Sequence, residues 1–168
     1  MWWFSWRYLP HMKDEALSPS GYLMEQMPIA QPSDDLRADI EAAVGNIITL
    51  TQENSVSQHE LLDWLRHEYG VAIPGQKLEE YAGLTTDDFV SEVKKRRIKG
   101  TPNLKPADTT ALQKIHAEYA AAASARITHI SDLEHRLSVL VNQAYGMTAD
   151  EVELMWKTAP PRMPIARK

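Results

Sequence analysis

The stretch from Asp108 to Tyr145 constrains the fold more than any other, because its pattern is continuously helical. About 38 residues at 1.5 Å each make a rod on the order of 57 Å, too long for one small core to cover. Ile127, Ile130, Leu133, Leu137, Leu140 and Ala144 fall in alternating steps of three and four along one face. Leu112, Ile115, Tyr119, Ala122 and Ala123 carry that face backward. The rod must therefore fold into a hairpin or reach across to another domain. Antiparallel packing on a helix from Ser33 to Leu50 is one solution, and the alanines Ala120–Ala123 with Ala125 allow close approach. At the far end, Tyr145-Gly146 supplies a glycine stop, and Thr148-Ala-Asp-Glu151 has capping-box spacing. A sharp corner and a second short helix are expected there.

Earlier in the chain, Ser33 can cap a helix from about Asp34 to Leu50 with Leu36, Ile40, Ala43, Val44 and Ile47 inward. Gly45 weakens it. The polar segment Thr51–Val56 separates it from Ser57-Gln-His-Glu60, a second capping-box spacing, which starts a helix carrying Leu61, Leu62, Leu65 and Tyr69 to a stop at Gly70. Pro74-Gly75 marks a turn, followed by a helical turn with Leu78 and Tyr81. Thr85 or Thr86 caps a helix with Phe89, Val90 and Val93 inward, ending in Lys94-Lys-Arg-Arg97. The pieces around Tyr81–Asp88 and Tyr145–Glu151 look alike, and shared capping chemistry explains this without a repeat.

The chain opens with Trp2, Trp3, Phe4, Trp6 and Tyr8. Such a density suits the buried edge of a larger domain; a base-stacking platform would need interleaved cations, and only Arg7 is near. The expected fold is mainly α: a helical bundle or long helical hairpin, an irregular aromatic-rich N-terminal segment, and at most a short strand at Tyr22–Glu25. The segments are 1–32, the truncated end of a domain; 33–99, helical; 100–107, a linker; and 108–168, the long helix, corner, short helix and proline-rich tail.

The 168 residues contain no cysteine, which excludes disulfides, thiolate metal sites and a cysteine nucleophile. That suits a reducing compartment, and no apolar run approaches the roughly 20 residues needed to cross a bilayer, so a soluble, cytoplasmic protein is expected. The net charge of −5 means that any contact with nucleic acid must come from a local patch. The best candidate is Lys94, Lys95, Arg96, Arg97 and Lys99, whose cations could displace counterions from phosphate. The helix dipole also favours cations there, and Asp87, Asp88 and Glu92 could pair with them. His59, Asp63 and His67 share a helix face at metal-ligand spacing, but Leu61, Leu62 and Leu65 claim the opposite side and the trio reads as the solvated face. Trp64 and Trp156 read as core anchors. No nucleotide-binding, zinc or nucleophile motif occurs, so no catalytic, cofactor-binding or metal residue is assigned.

Four phrases go further: His59-Glu-Leu-Leu-Asp-Trp-Leu-Arg-His-Glu-Tyr-Gly70, Asp88-Phe-Val-Ser-Glu-Val-Lys-Lys95, Leu133 through Thr148, and Thr158-Ala-Pro-Pro-Arg-Met-Pro164. Together they resemble the C-terminal region of adenine-specific DNA methyltransferases of restriction–modification systems, including fused restriction–methylation enzymes. The aromatic opening with Gly21-Tyr22 and Met27–Pro32 looks like the end of their target-recognition part. The resemblance implies a parent enzyme that uses S-adenosylmethionine, with DNA and the N-terminal catalytic and target-recognition domains as partners. The family's cofactor glycine motif and its Asn-Pro-Pro-aromatic motif are absent. Pro160-Pro161 follows Ala159 and precedes Arg162, so no catalytic role transfers to it. This chain alone is expected to be inactive. Two alternatives stand beside that reading: a stand-alone helical interaction module with a homodimer seam along Ile127–Leu140, and a small DNA-binding helical protein.

Overall fold

Helix starts follow the capping signals closely. A computed structural model describes residues 21–159. In it α1 spans Gly21–Glu25, α2 Asp34–Tyr69, α3 Gly75–Glu79, a 3-10 turn Tyr81–Gly83, α4 Thr86–Arg96, α5 Pro106–Ala144 and α6 Ala149–Lys157. The protein is mainly α as expected. The aromatic opening, Ser18-Pro-Ser and the Pro160-Pro161 tail lie outside the described residues.

Ser33 Oγ accepts from the Leu36 amide at 3.4 Å, and Thr85 Oγ1 accepts from Asp88 at 3.1 Å. At α6 both halves of the capping box form, with Thr148 and Glu151 exchanging backbone and side-chain bonds. The glycine stop before it is a Schellman turn. Gly146 has φ 64°, its amide reaches Gln143 at 2.9 Å, and the Met147 amide reaches Asn142 at 3.0 Å.

Three expectations need correction. First, α2 does not stop at Leu50, and Ser57 starts no new helix. Nothing in Thr51–Val56 excludes helical geometry, and the hydroxyls of Thr49 and Thr51 donate back to the carbonyls of Gly45 and Ile47. The Ser57–Glu60 spacing is therefore spent inside a helix that is already formed, and Gln58 donates instead to the Glu79 carbonyl at 2.7 Å. Second, Tyr22–Glu25 is helical in α1. Among the described residues the only β feature is an isolated antiparallel bridge between Val71 and Arg97. Third, α5 begins two residues early: Pro106 fills the first helical position, where a missing amide costs nothing, and Asp108 accepts from the Lys105 amide at 2.8 Å.

The chain divides into two units. The second, Gly45–Leu133, holds the main core. Leu61, Leu65 and Tyr69 from α2, Leu78 and Tyr81, Phe89, Val90 and Val93 from α4, and Leu112 and Ala123 from α5 form one buried cluster. Trp64 is half-buried against it and meets Tyr69 edge-on at 4.9 Å. Within this unit α2 and α5 run antiparallel, since Arg126 meets Asn54 while Asp108 acts electrostatically on Tyr69. Of the alanine cluster only Ala123 is buried. Ala121, Ala122 and Ala125 face outward, so the close approach is made at fewer positions than the composition suggested.

Burial on both long helices follows a step of four then three. On α5 it runs through 112, 116, 119, 123, 126, 130, 133, 137, 140 and 144, all buried or half-buried. On α2 it runs through 36, 40, 43, 47, 50, 54, 57 and 61. That is the 3.5-residue period of knobs-into-holes packing. Ile127, expected on the seam, lies one step off it and is half exposed.

The first unit contains residues up to Val44 and from Glu134 onward. Ala43 and Leu140 are its buried residues among those described. The Tyr145 hydroxyl donates to the Pro28 carbonyl at 2.8 Å, tying the end of the long helix to the segment after α1. Trp156 is half-buried, and α6 has no fully buried residue.

Candidate polyanion interface

The basic run sits at the C-terminal end of α4 in the second unit, and its five cations have different surroundings. Glu92, one turn earlier, is almost fully buried. Arg96 donates from Nε to Glu92 at 2.9 Å, and Lys95 lies 3.7 Å from the same carboxylate. The Arg96 bond first, then the nearby charges of Lys95, Arg96 and Lys77, holds the Glu92 carboxyl below its usual range. The Arg96 guanidinium also fills the space over Gly75, where a Cβ would meet it at 2.7 Å. Gly75 has φ 69°, so its backbone favours glycine, and a side chain there would also have to displace the Arg96 guanidinium.

Arg97 turns the other way. Its Nε donates to the Tyr69 carbonyl at 2.9 Å, satisfying the open C-terminal end of α2. The Ile98 amide adds a bond to the Gly70 carbonyl at 3.0 Å. Lys94 and Lys99 are exposed and make no ion pair among the described residues, and Lys95 keeps 68% of its side chain exposed. Asp87 and Asp88 pair with none of these cations. Asp88 accepts from the Thr85 hydroxyl at 2.7 Å, at the opposite end of an 11-residue helix about 16 Å long. Helix α4 is thus acidic at its start and basic at its end.

The histidine–aspartate face on α2 is otherwise engaged. His59 Nδ1 lies 2.7 Å from the Ser55 carbonyl, and Asp63 pairs with Arg66. Among the described residues no group of three metal-ligating side chains converges. His116, which no local pattern marks, is buried against the 3-10 turn. A cleft of about 580 Å³ opens beside that turn, lined by Asn54, Gln58, Lys77, Tyr81, Ala123 and Ile127 among others. Burial pushes the Tyr81 phenol up, and the Arg126 charge partly offsets this. No described helix is long and apolar enough to cross a membrane.

Among the described residues, fold and site define a mainly helical module with two long helices and a basic corner at the end of α4. The chain belongs to the family described as "Domain of unknown function (DUF8810)", whose model matches residues 33–141. The match starts at the cap of α2 and ends in the last turn of α5, so the family is the stretch bounded by the two long helices. No curated protein and no solved structure matches the chain.

Proposed function

We propose that this chain is the C-terminal helical part of an adenine-specific DNA methyltransferase of a restriction–modification system, supporting target recognition and touching DNA through the end of α4. Methyl transfer and S-adenosylmethionine binding belong to a catalytic domain outside these 168 residues. The observation that carries the reading is the coincidence of the family-like phrases with elements of defined shape. His59–Gly70 is the end of α2 with its glycine stop, Asp88–Lys95 is the basic helix α4, and Leu133–Thr148 is the end of α5 with its Schellman corner. Along the seam that suggested a homodimer, Leu133 and Leu140 are buried in the single chain while Ile127 is half exposed, which favours this reading over a second copy on that face.

The test is adenine N6-methylation by the chain together with the polypeptide encoded immediately upstream, against each part alone. Methylation that needs both parts supports the reading; an upstream region without a methyltransferase motif overturns it. Calorimetry of the isolated chain with S-adenosylmethionine should give no heat of binding. Micromolar affinity would show that this chain carries its own cofactor site.

A further inference from the structure

We infer that phosphate contact at the α4 corner is made by the three lysines Lys94, Lys95 and Lys99, while Arg96 and Arg97 are positioning residues, so that the surface grips duplex DNA without reading its sequence. This rests on the DNA-contact reading above. It changes the five-residue set of the sequence into two groups with separate roles. Each arginine commits its Nε inside the protein: Arg96 on the buried Glu92 carboxylate, with its guanidinium over Gly75, and Arg97 on the Tyr69 carbonyl. Arginine is suited to bidentate recognition of guanine through its planar fork, and here each fork has its Nε committed on a half-buried side chain. The remaining cations are compact, mobile ammonium groups, which suit phosphate as point charges. Lys94 and Lys95 lie in the last turn of α4, and Lys99 follows on the loop. The loop is tied to the end of α2 twice, by Arg97 on the Tyr69 carbonyl and by the Ile98 amide on the Gly70 carbonyl, so that losing the Arg97 bond costs stability without releasing Lys99.

The inference makes a numerical statement. Each phosphate contact contributes about −0.9 to the slope of log K against log salt. Three lysines give a slope of about −2.7, and five cations would give about −4.5. The experiment is fluorescence anisotropy of the intact chain with two duplexes of unrelated sequence across a salt series. Expected results are equal affinities for the two duplexes and a slope near the three-lysine value of about −2.7. Each of Lys94→Gln, Lys95→Gln and Lys99→Gln should flatten it by about 0.9. Arg97→Lys and Arg97→Gln should leave the slope unchanged, while Arg97→Gln lowers the urea midpoint. Flattening by Arg96→Gln and Arg97→Gln equal to that of the lysine variants overturns the division of roles but leaves DNA contact standing. If the triple lysine variant binds like the parent, or the parent binds anionic vesicles and not DNA, the interface itself is wrong. Neither of those results bears on the methylation test.

Discussion

Arg126 on α5 donates from Nη1 to the side-chain oxygen of Asn54 on α2 at 2.9 Å, and its Nε lies 3.4 Å from Glu53. Both Arg126 and Asn54 occupy seam positions of the four-three alternation, so a polar pair interrupts an otherwise mostly apolar interface. Such a pair adds little net stability but penalises every alternative register, because a slipped helix would leave both groups unpaired. Arg126→Ala should cost about 1–2 kcal/mol, mainly from the half-buried Asn54 amide that it orphans. Replacing both residues by leucine should recover most of that loss. Urea denaturation of the double-mutant cycle checks it: additive single losses would mean that the two residues are not coupled.

His116 is the other polar residue on the seam of α5 within the core. Its Nε2 lies 3.1 Å from the Tyr81 carbonyl, an acceptor only, so Nε2 carries a hydrogen; Nδ1 is 3.3 Å from the Thr86 hydroxyl. The ring stacks on Phe89 with centroids 4.5 Å apart. One side chain thus fixes the 3-10 turn, the start of α4 and α5 together. His116→Ala should cost about 3 kcal/mol through the cavity it leaves and the loss of its bonds to Tyr81 and Thr86, while the Tyr81 carbonyl keeps the Leu84 amide at 3.1 Å. His116→Phe keeps the volume and the stack, so its loss should be about half as large. Equal losses in thermal denaturation would assign the whole effect to the hydrogen bonds.

The parts legible in the sequence are those decided within four residues. The caps at Ser33, Thr85 and Thr148 and the glycine stops at Gly70 and Gly146 are local chemistry, and the structure has them all. Ser57 shows the limit of that logic: a capping box inside a chain that is already helical has no orphan amides to satisfy. His116 was invisible because its partners lie 30 and 35 residues away. The split of the basic run was invisible for the same reason, since Arg97 answers a carbonyl 28 residues earlier. Burial phase was legible to within one position: Ile127 fits the local spacing, but the seam passes through Arg126 instead. A charged residue there is something a purely apolar pattern cannot anticipate.

Gly45 sits in the middle of α2 with no atom within 4 Å of where its Cβ would stand. Its backbone is helical, so alanine meets no strain and removes freedom from the unfolded chain. Gly45→Ala should therefore raise stability by about 0.5–1 kcal/mol. Gly75→Ala is the contrasting case, because it combines positive φ with a clash against Arg96 and should destabilise. Thermal melts of the two variants should move in opposite directions; a loss on Gly45→Ala would mean that something closes on that face in solution.

Glu92 and Glu151 give the acid limb of the stability curve. Glu92 is held low first by its bond from Arg96, and Glu151 first by the Thr148 amide and then by the Thr148 hydroxyl. A carboxyl whose folded pKa lies below its unfolded value binds fewer protons folded than unfolded. Its contribution is complete above the unfolded value and disappears as pH falls through the folded one. The urea midpoint should thus hold between neutrality and mild acid and drop below the ordinary glutamate range. Glu92→Gln should lower the midpoint at neutral pH, where Arg96 and Lys95 lose their anion, and make the acid drop shallower. Adding Glu151→Gln should flatten it further, since each carboxyl is held low by its own partners, Arg96 for Glu92 and Thr148 for Glu151. An acid limb of unchanged steepness in the double variant would move the acid sensitivity to other carboxylates.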